Sequence, residues 1–418
     1  MSTTILVIGL MVFLAHFLSL QFRKTNIPDV LVLMLLGIVI GPLLGIVTPD
    51  DFGKIGSLIA TIALVVILFE SGTSLDLGVL GRSLGPTGVL TFWCFAVTTT
   101  IIGLLGHYLL DLSPLPATML GVTLGGTSSA VVIPMVGALR LAEKPATVLV
   151  LESALTDVLC IVGVFALLQF YTQGGVEPGR VIGSVLAALI FAAVIGVLGG
   201  IGWLLVLGKI RDFPNTISST LAYVFIVYGI TEFLGFSGAI AALALGISLT
   251  NFEKFGLHRI QQLDRKLEPL NEVDITFYRE AVFLLKTYFF VYLGVSIHFG
   301  EARLALVAIA MVVLVFAMRL SITRIALRAD VYSVRDTAFA SMMAPKGLAA
   351  AVLAALPLQA GVEGGEVIRD TTYMVVLISI ALTALLVMIY PQPSVQRFYH
   401  RALGKAAAPA EPTAPAEP

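Results

Sequence analysis

The most informative property of this sequence of 418 residues is how little charge it contains. Only 12% of the residues are charged and 58% are hydrophobic, whereas a soluble domain carries about 25% charged residues. This shortage excludes an ordinary soluble domain and indicates a membrane protein. The net charge is −1, so no basic field points to a nucleic-acid partner.

Cysteine and histidine are also scarce. The two cysteines, Cys94 and Cys160, lie in apolar runs and are too few for a disulfide framework. The five histidines are scattered, so we expect no metal cluster. The membrane segments contain no nucleophile–base pair, which argues against an enzyme, and we expect no cofactor. The first apolar run has no basic leader and no small-residue cleavage site, which favours a membrane helix over a signal peptide.

Long apolar runs make up most of the chain, and a spanning helix needs about 20 such residues. We predict an all-α membrane protein with 13 transmembrane helices, at residues 4–22, 29–47, 55–71, 87–108, 114–139, 145–171, 180–208, 217–234, 236–251, 281–298, 303–327, 336–360 and 371–391. With the N-terminus outside, 17 of the 25 Lys and Arg residues fall in inner connections and only 4 in outer ones. We therefore expect a multi-pass protein of the cell (inner) membrane with a cytoplasmic C-terminus.

Two of the predicted spans contain helix-breaking residues near their centres. The fifth span contains LGGTSSAVVIPMVG, in which Gly125, Gly126 and Pro134 weaken the helix. The twelfth span contains SMMAPKGLAAAVLAALP, in which Pro345 and Gly347 flank a lysine. Because lipid cannot satisfy backbone groups, such breaks survive only where they are buried in protein or line a cavity.

The two broken spans occupy equivalent positions in the two halves of the chain. Each is the fifth helix of a six-helix set, over residues 4–171 and 217–391, with a linker helix at 180–208. An odd number of crossings leads from one break to the other, so the sets are inverted repeats of the kind found in transporters. Residues 406–418 are an Ala/Pro-rich tail that we expect to be disordered.

The sixth span, LESALTDVLCIV at residues 151–162, places two carboxylates among apolar residues. A charge at the bilayer centre costs about 2.5–3.5 kcal/mol on insertion scales, so each must be paired, neutral or functional. Glu152 and Asp157 lie about 140° apart around a helix and therefore face different partners. We expect Glu152 to pair with Lys346, and Asp157 to remain without a permanent partner and to face a cavity.

A desolvated carboxylate that holds either a proton or a cation, but never both, is sufficient for exchange. The other ligands of a cation should be hard oxygens. Thr127 and Ser128 lie at the first break, and Ser153 and Thr156 lie on the helix of Asp157. We therefore expect these hydroxyl groups to complete a cation- and proton-binding site.

Three further charged residues lie in or near the predicted spans. Glu70, in LFESGTSLDL, could guard the entrance to the site or be an interfacial carboxylate. Arg319 could reach the cytoplasm along its helix or support Thr156 and the broken helices. For Lys286 we prefer extension of the side chain towards the interface.

Taken together, these stretches resemble the monovalent cation/proton antiporter superfamily, the Na⁺/H⁺ exchangers. The resemblance runs from residue 4 to about residue 391 and depends on LFESGTSLDL, GGTSSAVVIPMV, ESALTDVLCIV, FFVYLG and APKGLAAAVLA. It implies a core domain with crossed broken helices that moves like an elevator against a dimerisation domain in a homodimer. It also implies that Asp157 carries the cation and the proton, that Glu152 pairs with Lys346, and that Arg319 occupies a basic position.

Thr156 departs from the family pattern, in which Asn, Asp or Gln usually precedes the aspartate. Thr156 and Asp157 together supply a single carboxylate, which implies exchange of one proton per cation with no net charge moved. The TSSAVV stretch is more similar to the potassium-efflux branch, and APKGLA to the sodium branch. We therefore expect Na⁺/H⁺ (or Li⁺/H⁺) antiport, with K⁺/H⁺ antiport and Na⁺-coupled uptake of an organic solute as alternatives.

Overall fold

The structure is a computed structural model that describes residues 9–10, 13–17, 28–73, 75, 77–172, 178–210, 216–252, 272–300, 302–327 and 331–404. The regular elements in these ranges are all helical, which confirms the all-α class. The predicted first span, 4–22, lies largely outside the described residues, although 13–17 are helical. The predicted tail at 406–418 lies wholly outside them.

The helices are numbered in the order in which they follow one another along the chain. In the first half they are α1 (Asp29–Ile38, continued by a π-helical turn over Val39–Leu43), α2 (Pro49–Thr73), α3 (Leu77–Leu109), α4 (Pro114–Thr123), α5 (Ser129–Ala138), α6 (Glu143–Thr172) and α7 (Pro178–Ile210). The second half contains α8 (Thr216–Phe233), α9 (Gly238–Thr250), α10 (Glu272–Val295), α11 (Ala302–Ala326), α12 (Val334–Met342), α13 (Leu348–Leu353), α14 (Ala355–Gln359), α15 (Gly365–Ile389) and α16 (Pro393–Leu403).

Five helical stretches of the described chain are long and apolar enough to cross a membrane. They are Thr87–Leu109, Glu143–Thr172, Ala187–Leu207, Ala302–Ala326 and Gly365–Ile389, and shorter apolar helices lie between them. The protein is therefore a multi-pass membrane protein. The count of 13 spans and the direction of the termini remain predictions.

Both predicted helix breaks are present. The first separates α4 from α5 at residues 124–128, and the second separates α12 from α13 at residues 343–347. Pro134 was expected to contribute to the first break, but it lies inside α5 without ending it. The C-terminal helix α16 was not predicted, because it is short and too polar to register as a span.

Two apolar clusters fill the interior. The larger surrounds the two breaks and draws most of its residues from α1 to α6 and from α10 to α16, with a few from α7 and α9. The smaller joins α7, α8 and α9 to one face of α2 and to Tyr278 of α10, around Phe69 and Trp203. The helix breaks therefore lie deep in protein, where lipid cannot reach the backbone.

Paired glycines bring two pairs of helices into backbone contact. Gly37 of α1 lies against Gly294 of α10, and Gly72 of α2 lies against Gly246 of α9. A Cβ atom on any of the four would overlap a carbonyl oxygen of the opposite helix. Close approach of this kind is how helices gain packing energy in lipid, where the hydrophobic effect between them is weak.

The two glycine contacts are reciprocal. The first joins the predicted second span to the tenth, and the second joins the third to the ninth. A repeat that relates spans 1–6 to spans 8–13 exchanges the second with the ninth and the third with the tenth, and so converts one contact into the other. This is the arrangement expected of inverted repeats, whose boundaries remain a prediction.

A buried ion pair also joins α1 to α10. The Nζ atom of Lys286 donates to Oδ2 of Asp29 at 3.0 Å, and both side chains are almost fully buried. The expectation that Lys286 extends to the interface is therefore wrong. Asp29 begins α1 directly after Pro28 and gave no sign in the sequence that it would face another helix.

The glycine contact predicts a specific loss of stability. Gly294→Ala should lower the free energy of unfolding by about 1–3 kcal/mol, because the added methyl group must push α1 and α10 apart. Gly229→Ala in α8 is the matched control, since nothing lies within 4 Å of a Cβ there. Thermal unfolding in detergent measures both, and an equal melting temperature for the two variants would contradict the close packing.

Candidate functional site

The two helix breaks lie against each other and satisfy each other's backbone. The amide of Ser128 donates to the carbonyl oxygen of Pro345 at 2.8 Å. In the other direction, Nζ of Lys346 donates to the carbonyl oxygen of Gly126 at 2.7 Å. Gly347 lies so close to Ser128 that a side chain there would overlap the serine hydroxyl. We call residues 124–128 and 343–347 together the crossing.

A hydroxyl group from a later helix, α6 or α15, supports each break. Oγ1 of Thr156 in α6 accepts a hydrogen bond from the amide of Thr127 at 3.1 Å. Oγ of Ser379 in α15 accepts a hydrogen bond from the amide of Lys346 at 2.9 Å. A buried amide with no acceptor is costly, so both hydroxyls stabilise the interrupted conformation. Thr156, the residue that departs from the family pattern, therefore holds the first break.

Glu152 pairs with Arg319 of α11. Nη1 and Nη2 of the guanidinium donate to the two carboxylate oxygens at 2.6 and 2.8 Å, and both residues are buried. Nε donates to the carbonyl oxygen of Ala340 in α12 at 2.9 Å. The prediction that Glu152 pairs with Lys346 is therefore wrong, and so is the alternative that Arg319 extends to the cytoplasm.

The geometry of the two cations explains this choice. A planar guanidinium can donate two parallel bonds to one carboxylate, which a lysine ammonium cannot. Arg319 joins α6, α11 and α12 in this way, next to the second break. Lys346 lies within the crossing itself, and its ammonium donates a hydrogen bond to the carbonyl oxygen of Gly126.

Asp157 lies in a separate, narrow crevice. Serines 128 and 129 line this crevice with it, and the remaining walls are apolar: Leu64, Ile67, Leu68, Ala130, Leu348 and Ala349. Oδ2 of Asp157 accepts a hydrogen bond from Oγ of Ser129 at 2.6 Å. Within the described ranges, no lysine or arginine forms a salt bridge with this carboxylate.

A second polar group in the crevice has no partner. The hydroxyl oxygen of Ser128 is buried and makes no hydrogen bond. Leaving a buried hydroxyl unsatisfied costs free energy, so a native protein does it where a ligand or water can occupy the position. The crevice thus contains the carboxylate of Asp157, which has no basic partner in the described structure, and two serines. Ser129 is hydrogen-bonded to the carboxylate, and the hydroxyl of Ser128 makes no hydrogen bond.

The other predicted ligands lie elsewhere. Thr127 faces a second crevice on the other side of the crossing, lined also by Cys94, Arg319 and Lys346. Oγ of Ser153 donates to its own helix, to the carbonyl oxygen of Val150 at 2.9 Å. Neither residue lines the Asp157 crevice.

Glu70 also lies away from the two crevices. It is in the last turn of α2, and the nearby charges that act on it are those of Arg279 and Lys286 on α10. Two residues were missed in the sequence, namely Ser129 as the partner of Asp157 and Asp29 as the partner of Lys286. The signal for Ser129 was its position in the SS pair that follows the first break, where a new helix begins.

These features define a class of protein. Two interrupted helices that cross beside a buried carboxylate, within a multi-pass helical bundle, are typical of secondary transporters. The chain belongs to the transmembrane sodium/hydrogen exchanger family, whose model matches residues 9–389. The resemblance seen in the sequence motifs is thereby confirmed.

Individual relatives are distant. The chain is 25% identical over 372 residues to the K⁺/H⁺ antiporter NhaP2 of Shewanella oneidensis, covering 87% of this chain and 62% of that protein. It is 25% identical over 303 residues to the Na⁺/H⁺ antiporter NhaS2 of Synechocystis, covering 71% and 53% respectively. The chain thus spans less than two thirds of the length of these relatives. The sodium proton antiporter MjNhaP1 of Methanocaldococcus jannaschii has the same fold, with a TM-score of 0.75, 22% identity, and coverage of 97% of this chain and 99% of that one.

The Glu152–Arg319 pair predicts a large and non-additive effect on stability. Arg319→Gln should destabilise the protein by about 3–5 kcal/mol, because it leaves a buried carboxylate unpaired. Replacing both partners, as Glu152→Leu with Arg319→Met, should cost less than the sum of the single changes. The exposed pair Arg303–Asp111 is the control, since Arg303→Gln should cost less than about 1 kcal/mol. Additive effects in a double-mutant cycle would contradict the pairing.

Proposed function

We propose that the protein is a secondary-active antiporter that exchanges a monovalent cation for a proton at Asp157. The observation that carries this proposal is a nearly buried carboxylate, 8% exposed, that has no basic partner in the described structure and shares its crevice with an unbonded serine hydroxyl. Membership of the sodium/hydrogen exchanger family supports it. On this proposal the chain is a transporter rather than an enzyme.

The exchange follows from competition at one carboxylate. An apolar surrounding penalises an ionised Asp157, so the group must hold a proton or attract a cation. Carboxylate and hydroxyl oxygens are the hard ligands that an alkali cation requires, and Asp157, Ser128 and Ser129 supply them together. A proton and a cation cannot occupy the carboxylate at once, so release of one permits binding of the other.

The transported cation is proposed to be Na⁺ or Li⁺, with K⁺ as the alternative. Relatives at the same 25% identity are named for K⁺ in one case and for Na⁺ in the other, which keeps both candidates open. Uptake of an organic solute is disfavoured, because the crevice is narrow and has few polar groups. Thr156 supplies no second carboxylate, so we propose a 1:1 stoichiometry with no net charge moved.

We propose an elevator movement within a homodimer. The Glu152–Arg319 pair and the crossing join α4, α5, α6, α11, α12 and α13 into one unit that can move as a body. The glycine contacts and the Asp29–Lys286 pair join α1 to α10 and α2 to α9, and α2 also packs against α10, so these four helices form a second unit that can remain fixed. Asp157 lies where the first unit faces α2, through Leu64, Ile67 and Leu68, so its exposure would change when the two units slide.

Asp157→Asn should abolish cation-dependent proton flux while leaving the protein folded. The assay uses vesicles with an acidic interior and follows the pH gradient after addition of NaCl or KCl outside. Dissipation by Na⁺ alone supports sodium exchange, and an equal response to K⁺ supports the alternative. Retained exchange in the variant would contradict the role of Asp157.

Ser129→Ala should raise the half-saturating cation concentration by roughly tenfold, because a hydrogen bond to a charged group is worth about 1.5–3 kcal/mol. Ser248→Ala is the matched control, since that buried serine donates to its own helix, to the carbonyl oxygen of Leu245, at 2.8 Å. An equal effect of both changes would show that Ser129 has no special role in the site.

A neutral cycle should be insensitive to membrane potential. Imposing a potential across the vesicles at a fixed pH gradient should leave the exchange rate unchanged. A rate that rises or falls with the potential would reject the 1:1 stoichiometry while leaving antiport itself intact.

A further inference from the structure

A basic groove lies at the C-terminal end of the described chain, away from the crossing. It has a volume of about 730 Å³ and runs between the end of α11 and the helix α16. Its lining includes three arginines, Arg324, Arg397 and Arg401, and one histidine, His400. The loop charges place this end of the molecule on the predicted cytoplasmic side.

Among the described residues, no acid pairs with the arginines of the groove. Nε of Arg397 donates at 3.2 Å to the backbone of its own helix, at Pro393. Across the part of the chain that the structure describes, no carboxylate forms a salt bridge with Arg324, Arg397 or Arg401. By contrast, the exposed Arg303 pairs with Asp111 at 2.7 Å. Three arginines that converge without an acid are suited to an anion.

The arginines are presented from a firmly packed helix. Tyr399 and Leu403 are buried and hold one face of α16 against α12. The ring of Tyr390 lies between those of Tyr399, at 6.1 Å, and Phe339, at 4.6 Å. Because residues 397, 400 and 401 lie on adjacent positions of a helix, their side chains face the groove together. The helix backbone that carries these side chains is therefore already ordered before an anion binds.

The chemistry of the lining favours phosphate. The guanidinium fork binds phosphate oxygens in pairs, and the guanidinium is more weakly hydrated than an ammonium. Phe398 on the same helix is 54% exposed. A helix with a basic polar face and an exposed aromatic residue is typical of one that lies in the lipid headgroup region.

We propose that this groove binds the phosphate of an anionic phospholipid headgroup, a ligand site distinct from the Asp157 crevice. The shared chemistry also admits a free phosphate anion, so the experiment must separate the two sources. The inference does not depend on the proposed transport function, because it concerns binding alone.

The test measures binding by the purified full-length chain in mixed micelles of a neutral detergent. The probes are phosphatidylglycerol, phosphatidylcholine and inorganic pyrophosphate. We expect phosphatidylglycerol to bind at least tenfold more tightly than phosphatidylcholine. Arg397→Gln with Arg401→Gln should weaken that binding roughly 30-fold, and Arg324→Gln alone roughly fivefold. Arg303→Gln with Arg369→Gln removes the same number of charges at the predicted outer side and should leave binding unchanged.

Thermal unfolding in neutral detergent shows whether each variant is folded. Should the α16 double variant fail to fold, Arg324→Gln on α11 decides the question alone. Pyrophosphate binding with the same arginine dependence, in place of lipid binding, would support the site with a free anion as its ligand. Equal loss in the control variant, no loss in the groove variants, or no binding of either anion would overturn the proposal.

Discussion

The structure depends on the satisfaction of backbone groups where two helices are interrupted inside an apolar interior. Neither lipid nor water is available there, so each break must find its partners in protein. The Ser128 amide and the Pro345 carbonyl, with the Lys346 ammonium and the Gly126 carbonyl, make each break the partner of the other. The crossing is therefore a single unit, in which each break satisfies a backbone group of the other.

Two buried acids lie next to the crossing, and in the described structure only Glu152 has a basic partner, whereas Asp157 has none. Glu152 and Arg319 form a bidentate pair, and Arg319 also donates to the carbonyl oxygen of Ala340 near the end of α12. Lys346 donates a hydrogen bond to the carbonyl oxygen of Gly126, and Asp157 accepts a hydrogen bond from the hydroxyl of Ser129. The bond from Lys346 to Gly126 joins the two breaks, and the pair of Arg319 with Glu152 joins α11 to α6. In the described structure neither basic side chain forms a salt bridge with Asp157.

Much of the fold could be predicted from the sequence because its determinants are local. Hydropathy located the apolar helices, and the glycines and prolines located both breaks. Asp157 stood out because a carboxylate is costly in an apolar span. The site was predicted less well. Thr127, Ser153 and Thr156 are close to Asp157 or to the break in the sequence, but Thr127 lines a second crevice, Ser153 donates to its own helix and Thr156 accepts from the Thr127 amide. Ser129, at the first turn of a new helix, was the residue that reaches the carboxylate.

The sequence by itself determined the all-helical membrane class, the two interruptions and the acid that needs an explanation. These follow from the free energy of placing each residue type in lipid and from local backbone preferences. Only the tertiary structure decided which base meets which acid. Arg319 and Glu152 are 167 positions apart, as Lys286 and Asp29 are 257 apart. Whether such side chains meet depends on how closely the helices approach and how they are rotated about their axes, and no local pattern encodes either quantity.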